Sequence, residues 1–202
     1  EDVFKVVEKL LINTFKKFSK KKLMFEKFPK ISYADALIKY GTDKPDLRNP
    51  LLIYDLTNIF TRDDVKFDIF KKLIKAGSVA KCIVIKNSES KPRSFFDGID
   101  KWSKEQGASG LAYFTLEKKE KISAKGPVGK FFGEESLKEI MKICNAEVGD
   151  SLFLSCGKNN EVEKILAITR DKLGEDLNLI NNEIFAFCWI VDYPMYELDE
   201  QT

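Results

Sequence analysis

Apolar side chains in the opening stretch "EDVFKVVEKLLINTFKKFSK" fall at Phe4, Val7, Leu11, Phe15 and Phe18, with Lys and Glu between them. Steps of three and four residues put these side chains on one face of a helix, so the spacing predicts an amphipathic, core-packing helix. The pattern starts with no capping residue ahead of it, which fits a segment of a longer polypeptide. After Pro29, the stretch "ISYADALIKYGTDKPDLRNP" combines a short helix, Tyr33 to Tyr40, with a turn punctuated by Gly41, Pro45 and Pro50.

From there on, apolar runs of strand length alternate with helical spacing. Strands are expected in "LLIYDLTNIF", "SVAKCIVIKN", "LAYFTLEKK" and "DSLFLSCGK". Helices are expected from Asp63 to Ala76, from an N-cap at Ser94 to Gly107 with Phe95, Ile99 and Trp102 on one face, from Glu134 to Asn145, and from Asn160 to Leu173. The stretch "ISAKGPVGKFFG" has neither glycine spacing of a phosphate-binding loop and is expected to be a connecting turn. A last apolar run, Phe185 to Val191, reads as one continuous strand stopped by Pro194. Several strands carry one polar face, which predicts an α+β fold with a mostly antiparallel or mixed sheet and helices packed on it.

Composition narrows the picture. In 202 residues, 44% are hydrophobic and 16 are Phe, enough apolar surface for a buried core. Lys and Arg number 34 against 32 Asp and Glu, a net charge of +2, so any contact with a polyanion must be local. The run "KKFSKKK" from Lys16 is read as a solubilising helix end in preference to a phosphate contact. The sequence has no His, and its four cysteines, Cys82, Cys144, Cys156 and Cys188, stand far apart, which removes a zinc ligand set and the His-based catalytic triads. No metal site is expected. Without a secretory segment or long apolar stretch, no membrane association is expected, and a reducing cytoplasm with free thiols is the default.

The stretch "YADALIKYGTDKPDLRNP", then "GASGLAYF" with "GPVGKFF", then "FCWIVDYPMYE", in that order, closely resemble bacterial-type aspartyl-tRNA synthetases along nearly the whole chain. The middle resembles the insertion of that class II family called the GAD domain, which an amidotransferase that remakes mischarged glutamyl-tRNA also contains. The flanking "YGTDKPDLR" and "WIVDYPMYE" look like synthetase catalytic sequence. The resemblance implies a catalytic-domain segment over residues 1–58, a GAD-like insertion over 59–182 and a returning catalytic segment over 183–202. It implies an aspartate-tRNA ligase as the parent, using ATP and Mg2+, acting on aspartate and tRNA, and working as a cytoplasmic homodimer. A stand-alone tRNA- or protein-binding module and part of an amidotransferase are the alternatives.

Asp43 is the candidate that follows. On residue type alone, "TDKPD" is good turn chemistry, and Asp43 needs no ligand to account for it. By resemblance, the matching family position binds the ammonium group of the substrate aspartate, whose carboxylate must be aimed at ATP. Lys44, Asp46 and Arg48 are expected to support the turn through ion pairs. Asp192 and Glu197 either face the same pocket or meet solvent at a strand end. Neither an arginine motif for ATP, nor a glycine-rich motif ending in arginine, nor an N-terminal anticodon-binding barrel is found, so this segment is expected to be inactive alone.

Overall fold

In the computed structural model, which describes residues 2–196, five strands pair antiparallel throughout. They are β3 (Ile53–Asp55), β4 (Val79–Ile85), β5 (Ala112–Lys118), β6 (Ile122–Lys125) and β7 (Ser151–Gly157), in the spatial order β3-β4-β7-β5-β6. The period-2 geometry of a strand sorts their side chains into two sets. Cys82 and Val84 of β4, Phe114 and Leu116 of β5, and Leu152 and Leu154 of β7 join one cluster, completed by Leu137 and Ile140 of helix α5 (Glu134–Cys144). Ile83, Ile85, Tyr113 and Phe153 join a second, completed by Phe96 and Ile99 of α4 (Arg93–Glu105) and Val162 and Leu166 of α6 (Asn159–Asp176). Helices therefore cover both faces. That is why these antiparallel strands read as nearly unbroken apolar runs, and each fully buried side chain contributes roughly 1.5–3 kcal/mol.

The polar positions that suggest a solvated strand face are in fact buried beneath the helices. Lys81 of β4 meets Glu163 of α6 at 2.7 Å, with side-chain exposures of 5% and 10%. Ser151 of β7 bonds the hydroxyls of Ser88 and Thr115 at 2.7 and 2.8 Å. A buried hydroxyl or ion must be partnered to be tolerated, and each of these has its partner on a neighbouring element.

Several predicted elements are corrected. Helix α3 runs over Asp68–Lys75, later than expected, because the residues ahead of it make long-range bonds instead. Asp64 accepts the Ser136 amide at the start of α5 at 2.7 Å, and Val65 bridges to Phe132. Helix α4 starts after Pro92, not after Ser94, and buries Phe96, Ile99 and Ser103, leaving Phe95 and Trp102 only half-buried. The stretch expected to be a turn begins as strand β6, held by pairing with β5 from Thr115 to Lys118.

The two ends of the chain form a separate layer. Helix α1 (Asp2–Phe18) lies beside β1 (Lys22–Leu23) and β2 (Lys30–Ser32), which pair parallel with β8 (Ile184–Phe185) and β9 (Trp189–Val191). The last apolar run is thus two short strands, interrupted at 186–188, because each half finds a different partner. Aromatic contacts join the ends: Phe4 to Trp189 and Phe15 to Phe185 at 4.7 Å, and Phe15 to Phe187 at 4.8 Å. Glu8 accepts from the Phe28 amide and the Trp189 indole at 3.1 and 3.3 Å. Phe18, expected on the packed face, is exposed at the helix end. None of the described helices is long and apolar enough to cross a membrane.

Candidate functional site

Helix α2 (Tyr33–Tyr40) carries the chain from β2 into the candidate turn. Ser32 caps its start by accepting the Asp35 amide at 3.1 Å. Gly41 ends it in the left-handed region at φ +71°, donating to the Leu37 carbonyl at 2.9 Å. A Cβ at Gly41 would run into the Glu163 carbonyl and the Ala167 side chain of α6, so only glycine both reverses the chain and lets it lie this close to α6.

Beyond Gly41 the turn is held from two sides. On its own side, Asp46 accepts the Arg48 amide at 3.0 Å and takes the Arg48 guanidinium on both oxygens, at 2.9 Å from Nε and 2.7 Å from Nη2. From α6, the buried Arg170 donates to the carbonyls of Asp46, Asn49 and Leu51 at 2.8, 2.6 and 2.7 Å and lies over the Tyr40 ring. Asn49 returns a bond to the Arg170 carbonyl at 2.8 Å. Burial lowers the pKa of this guanidinium, while the surrounding acidic groups pull it the other way. The segment from Asp46 to Leu51 is therefore fixed by backbone contacts to a helix more than a hundred residues away.

Asp43 is held differently. Its carboxylate takes both its close contacts from the adjacent Lys44, at 2.9 and 2.8 Å, and a longer one from the Tyr193 hydroxyl at 3.4 Å. Tyr193 follows β9, and its ring packs on Tyr33 at 5.0 Å, so the returning end of the chain closes onto the turn. The Lys44 hydrogen bonds hold the Asp43 carboxyl below the usual carboxylate range against partial desolvation. The Asp43 side chain is 28% exposed and that of Lys44 is 82% exposed, so a charged carboxylate is reachable once the lysine swings away.

Of the other sequence candidates, Asp46 and Arg48 are brought together as an ion pair within the turn, and Lys44 pairs with Asp43 itself. Asp192 lies exposed just after β9 with left-handed backbone, φ +58°; among the described residues it makes no hydrogen bond or ion pair with Asp43, and its neighbour Tyr193 makes that contact instead. Glu197 lies outside the described residues. Sequence reasoning does not single out Arg170, Asn49, Tyr33 or Tyr193. Arg170 occupies an ordinary charged position of a helical pattern, so nothing in the local sequence marks it; Tyr193 at least falls inside the motif "WIVDYPMYE".

The GAD domain family matches residues 70–166. Over its whole length the chain is 68% identical to the aspartate–tRNA(Asp/Asn) ligase of Pelagibacter ubique, of which it covers 34%. It is 46% identical over 201 residues to the ligase of the same name from Ehrlichia chaffeensis and 42% identical over 202 residues to that of Methylorubrum populi, covering 33% of each. The chain spans about a third of the length of these relatives. The matches run through the candidate turn and both chain ends as well as the central sheet, and the chain belongs to the aspartyl-tRNA synthetase family as a segment that carries its GAD domain.

Proposed function

We propose that the parent of this chain is a ligase that activates aspartate with ATP and transfers it to tRNA for aspartate and asparagine, and that Asp43 binds the ammonium group of the amino acid. The observation that carries the second part is the contrast between the two carboxylates of the turn. Asp46 is tied to the Arg48 amide and to that residue's bidentate guanidinium, whereas Asp43 is held by one solvent-exposed ammonium and a long tyrosine contact. A substrate ammonium offers the same charge and the same donors as Lys44 Nζ, so exchanging one for the other costs little electrostatically. Arg170, Asn49 and the Asp46–Arg48 pair fix the turn beneath Asp43, which places the ammonium contact on a rigid support. Orientation is the service the reaction needs, because the α-carboxylate of aspartate must reach the α-phosphorus of ATP while pyrophosphate leaves.

In this reading, residues 1–58 and 183–202 are catalytic-domain segments and 59–182 are the insertion. The parallel pairing of β1 with β8 and β2 with β9 supports a single flanking layer made from both ends. ATP and Mg2+ serve the whole enzyme. Among the described residues, no cluster of carboxylates able to hold a metal ion is brought together. A cytoplasmic homodimer completes the reading.

In the full-length enzyme, Asp43→Asn is expected to raise the aspartate KM and lower kcat/KM by roughly 10- to 100-fold, the loss of one charge-assisted hydrogen bond, with the melting temperature unchanged. Unchanged aspartate kinetics would remove Asp43 from the site. The 202-residue chain alone is expected to bind aspartate at best weakly by calorimetry, since one contact does not offset the entropy of immobilising the ligand.

A further inference from the structure

A cleft of about 540 Å³ opens between the start of α4 and the loop after β6. Its floor is Phe96 and Tyr113, and its rims carry Lys91 and Arg93 on one side and Lys125 and Lys130 on the other. In a chain whose net charge is only +2, this is a local concentration of cations. Elsewhere the fully buried Lys81 is neutralised by Glu163, and Lys86 is paired with the buried Asp150. Here Lys91, Lys125 and Lys130 form no ion pair among the described residues. Lys91 and Lys130 rest over the rings of Phe95 and Phe131, and Lys125 reaches only the Glu89 carbonyl, at 3.4 Å. Asp97, which touches two of the lining residues, is already bonded by Arg93 at 3.2 Å and by the Tyr113 hydroxyl at 2.7 Å. Helix α4 begins at this rim with no side-chain cap, which adds the positive end of a 13-residue helix. Gly126, at φ +118°, lets the loop lie against the Tyr113 carbonyl and the Phe114 backbone, which keeps the far rim beside the floor.

The floor decides what kind of anion fits. Phe96 and Tyr113 are 4% and 6% exposed and stack on each other at 4.9 Å, so neither offers a free ring face to a base, and the Tyr113 hydroxyl is committed to Asp97. A cleft with exposed cations on both rims and no group free to read a base suits a run of phosphates passing between the rims. We propose that this cleft binds the phosphate backbone of RNA. The choice of tRNA as that RNA rests on the ligase reading above.

The test compares the full-length enzyme with its Lys91→Gln/Lys125→Gln/Lys130→Gln variant, titrated with a tRNA transcript for aspartate at several salt concentrations. Taking three ammonium groups away from the phosphates should make the slope of log K against log salt shallower by roughly 2 to 3 and weaken binding at least tenfold at low salt. An unchanged slope and affinity overturn the proposal. Should the triple variant fold poorly by circular dichroism, the single variants Lys125→Gln and Lys130→Gln are each expected to lose about one unit of slope. A second arm titrates the 202-residue chain with ATP and with inorganic pyrophosphate. Saturable micromolar binding that the triple variant abolishes and tRNA does not displace would make the cleft a small-molecule site and overturn the RNA assignment. Aspartate-dependent exchange of pyrophosphate into ATP by the unaltered enzyme requires no RNA, so its absence sinks the ligase reading while leaving the salt slopes interpretable.

Discussion

The central sheet and the layer made by the chain ends are built from similar residues and reach different degrees of closure. In the sheet, β4 and β7 bury successive residues on both faces, and α3, α4, α5 and α6 come from the same stretch of chain as the strands they cover. In the end layer the strands are two or three residues long, and α1 has no buried residue at all. One stripe of α1 packs on the aromatic cluster, while Val3, Val6 and Leu10, at 72%, 67% and 62% exposure, face outward on another. The lesson is that a sheet supplied with its own helices closes its core locally, whereas two-stranded pairs with one helix leave apolar surface open. In the ligase reading, the rest of the enzyme covers that stripe.

Four measurements put this contrast to the test. The largest effect is expected at Arg170, which ties α6 of the sheet domain to the turn that leads out of the end layer. Arg170→Met leaves the Asp46, Asn49 and Leu51 carbonyls without their buried donor, at a cost of roughly 3–5 kcal/mol in urea unfolding. A loss below about 1 kcal/mol would mean that the turn holds itself. Next, Leu154→Ala at the centre of the sheet should cost about 2–4 kcal/mol, since Leu154 is fully buried between β4 and β5 neighbours.

By contrast, Leu10→Ser should shift the stability of the 202-residue chain by no more than about 0.5 kcal/mol, as expected of an exposed position. A larger cost in the full-length enzyme than in this chain would locate the missing cover on α1, and equal costs would argue against it. The smallest effect comes from the Asp43–Lys44 pair. Because the folded state depresses the Asp43 pKa, the pair's contribution is present in full above the usual carboxylate range and is lost as the pH falls through the depressed value. Solvent screening leaves so exposed a pair little net effect, so Asp43→Asn should flatten the acid limb of the stability curve only slightly.

What can be read in the sequence follows the range of the interactions. Helix α2 is bounded where its own residues place it, because the Ser32 cap and the Gly41 reversal act within a few positions. The start of α3 and the strand β6 depart from the local pattern because Asp64, Val65 and residues Ile122–Lys125 answer to partners on other elements. Likewise, the polar residues of β4 and β7 say nothing about which helix will cover them. Local competition between turn, helix and strand is decided by tertiary partners whenever propensities are nearly balanced.

The α+β class, the alternation of elements, and the glycine- and proline-bounded turn that carries Asp43 are legible in the order of residues alone, and its motifs pointed to the family. Folding added what no local pattern announces: Arg170 clamps that turn from 124 residues away, and Tyr193 reaches Asp43 across 150. It alone brought lysines from two separate loops to one cleft. The physical reason is that caps, turns and hydrophobic periodicity are set within one or two turns of chain, whereas a guanidinium among carbonyls, or a cluster of like charges, acquires meaning only from the neighbours that folding supplies.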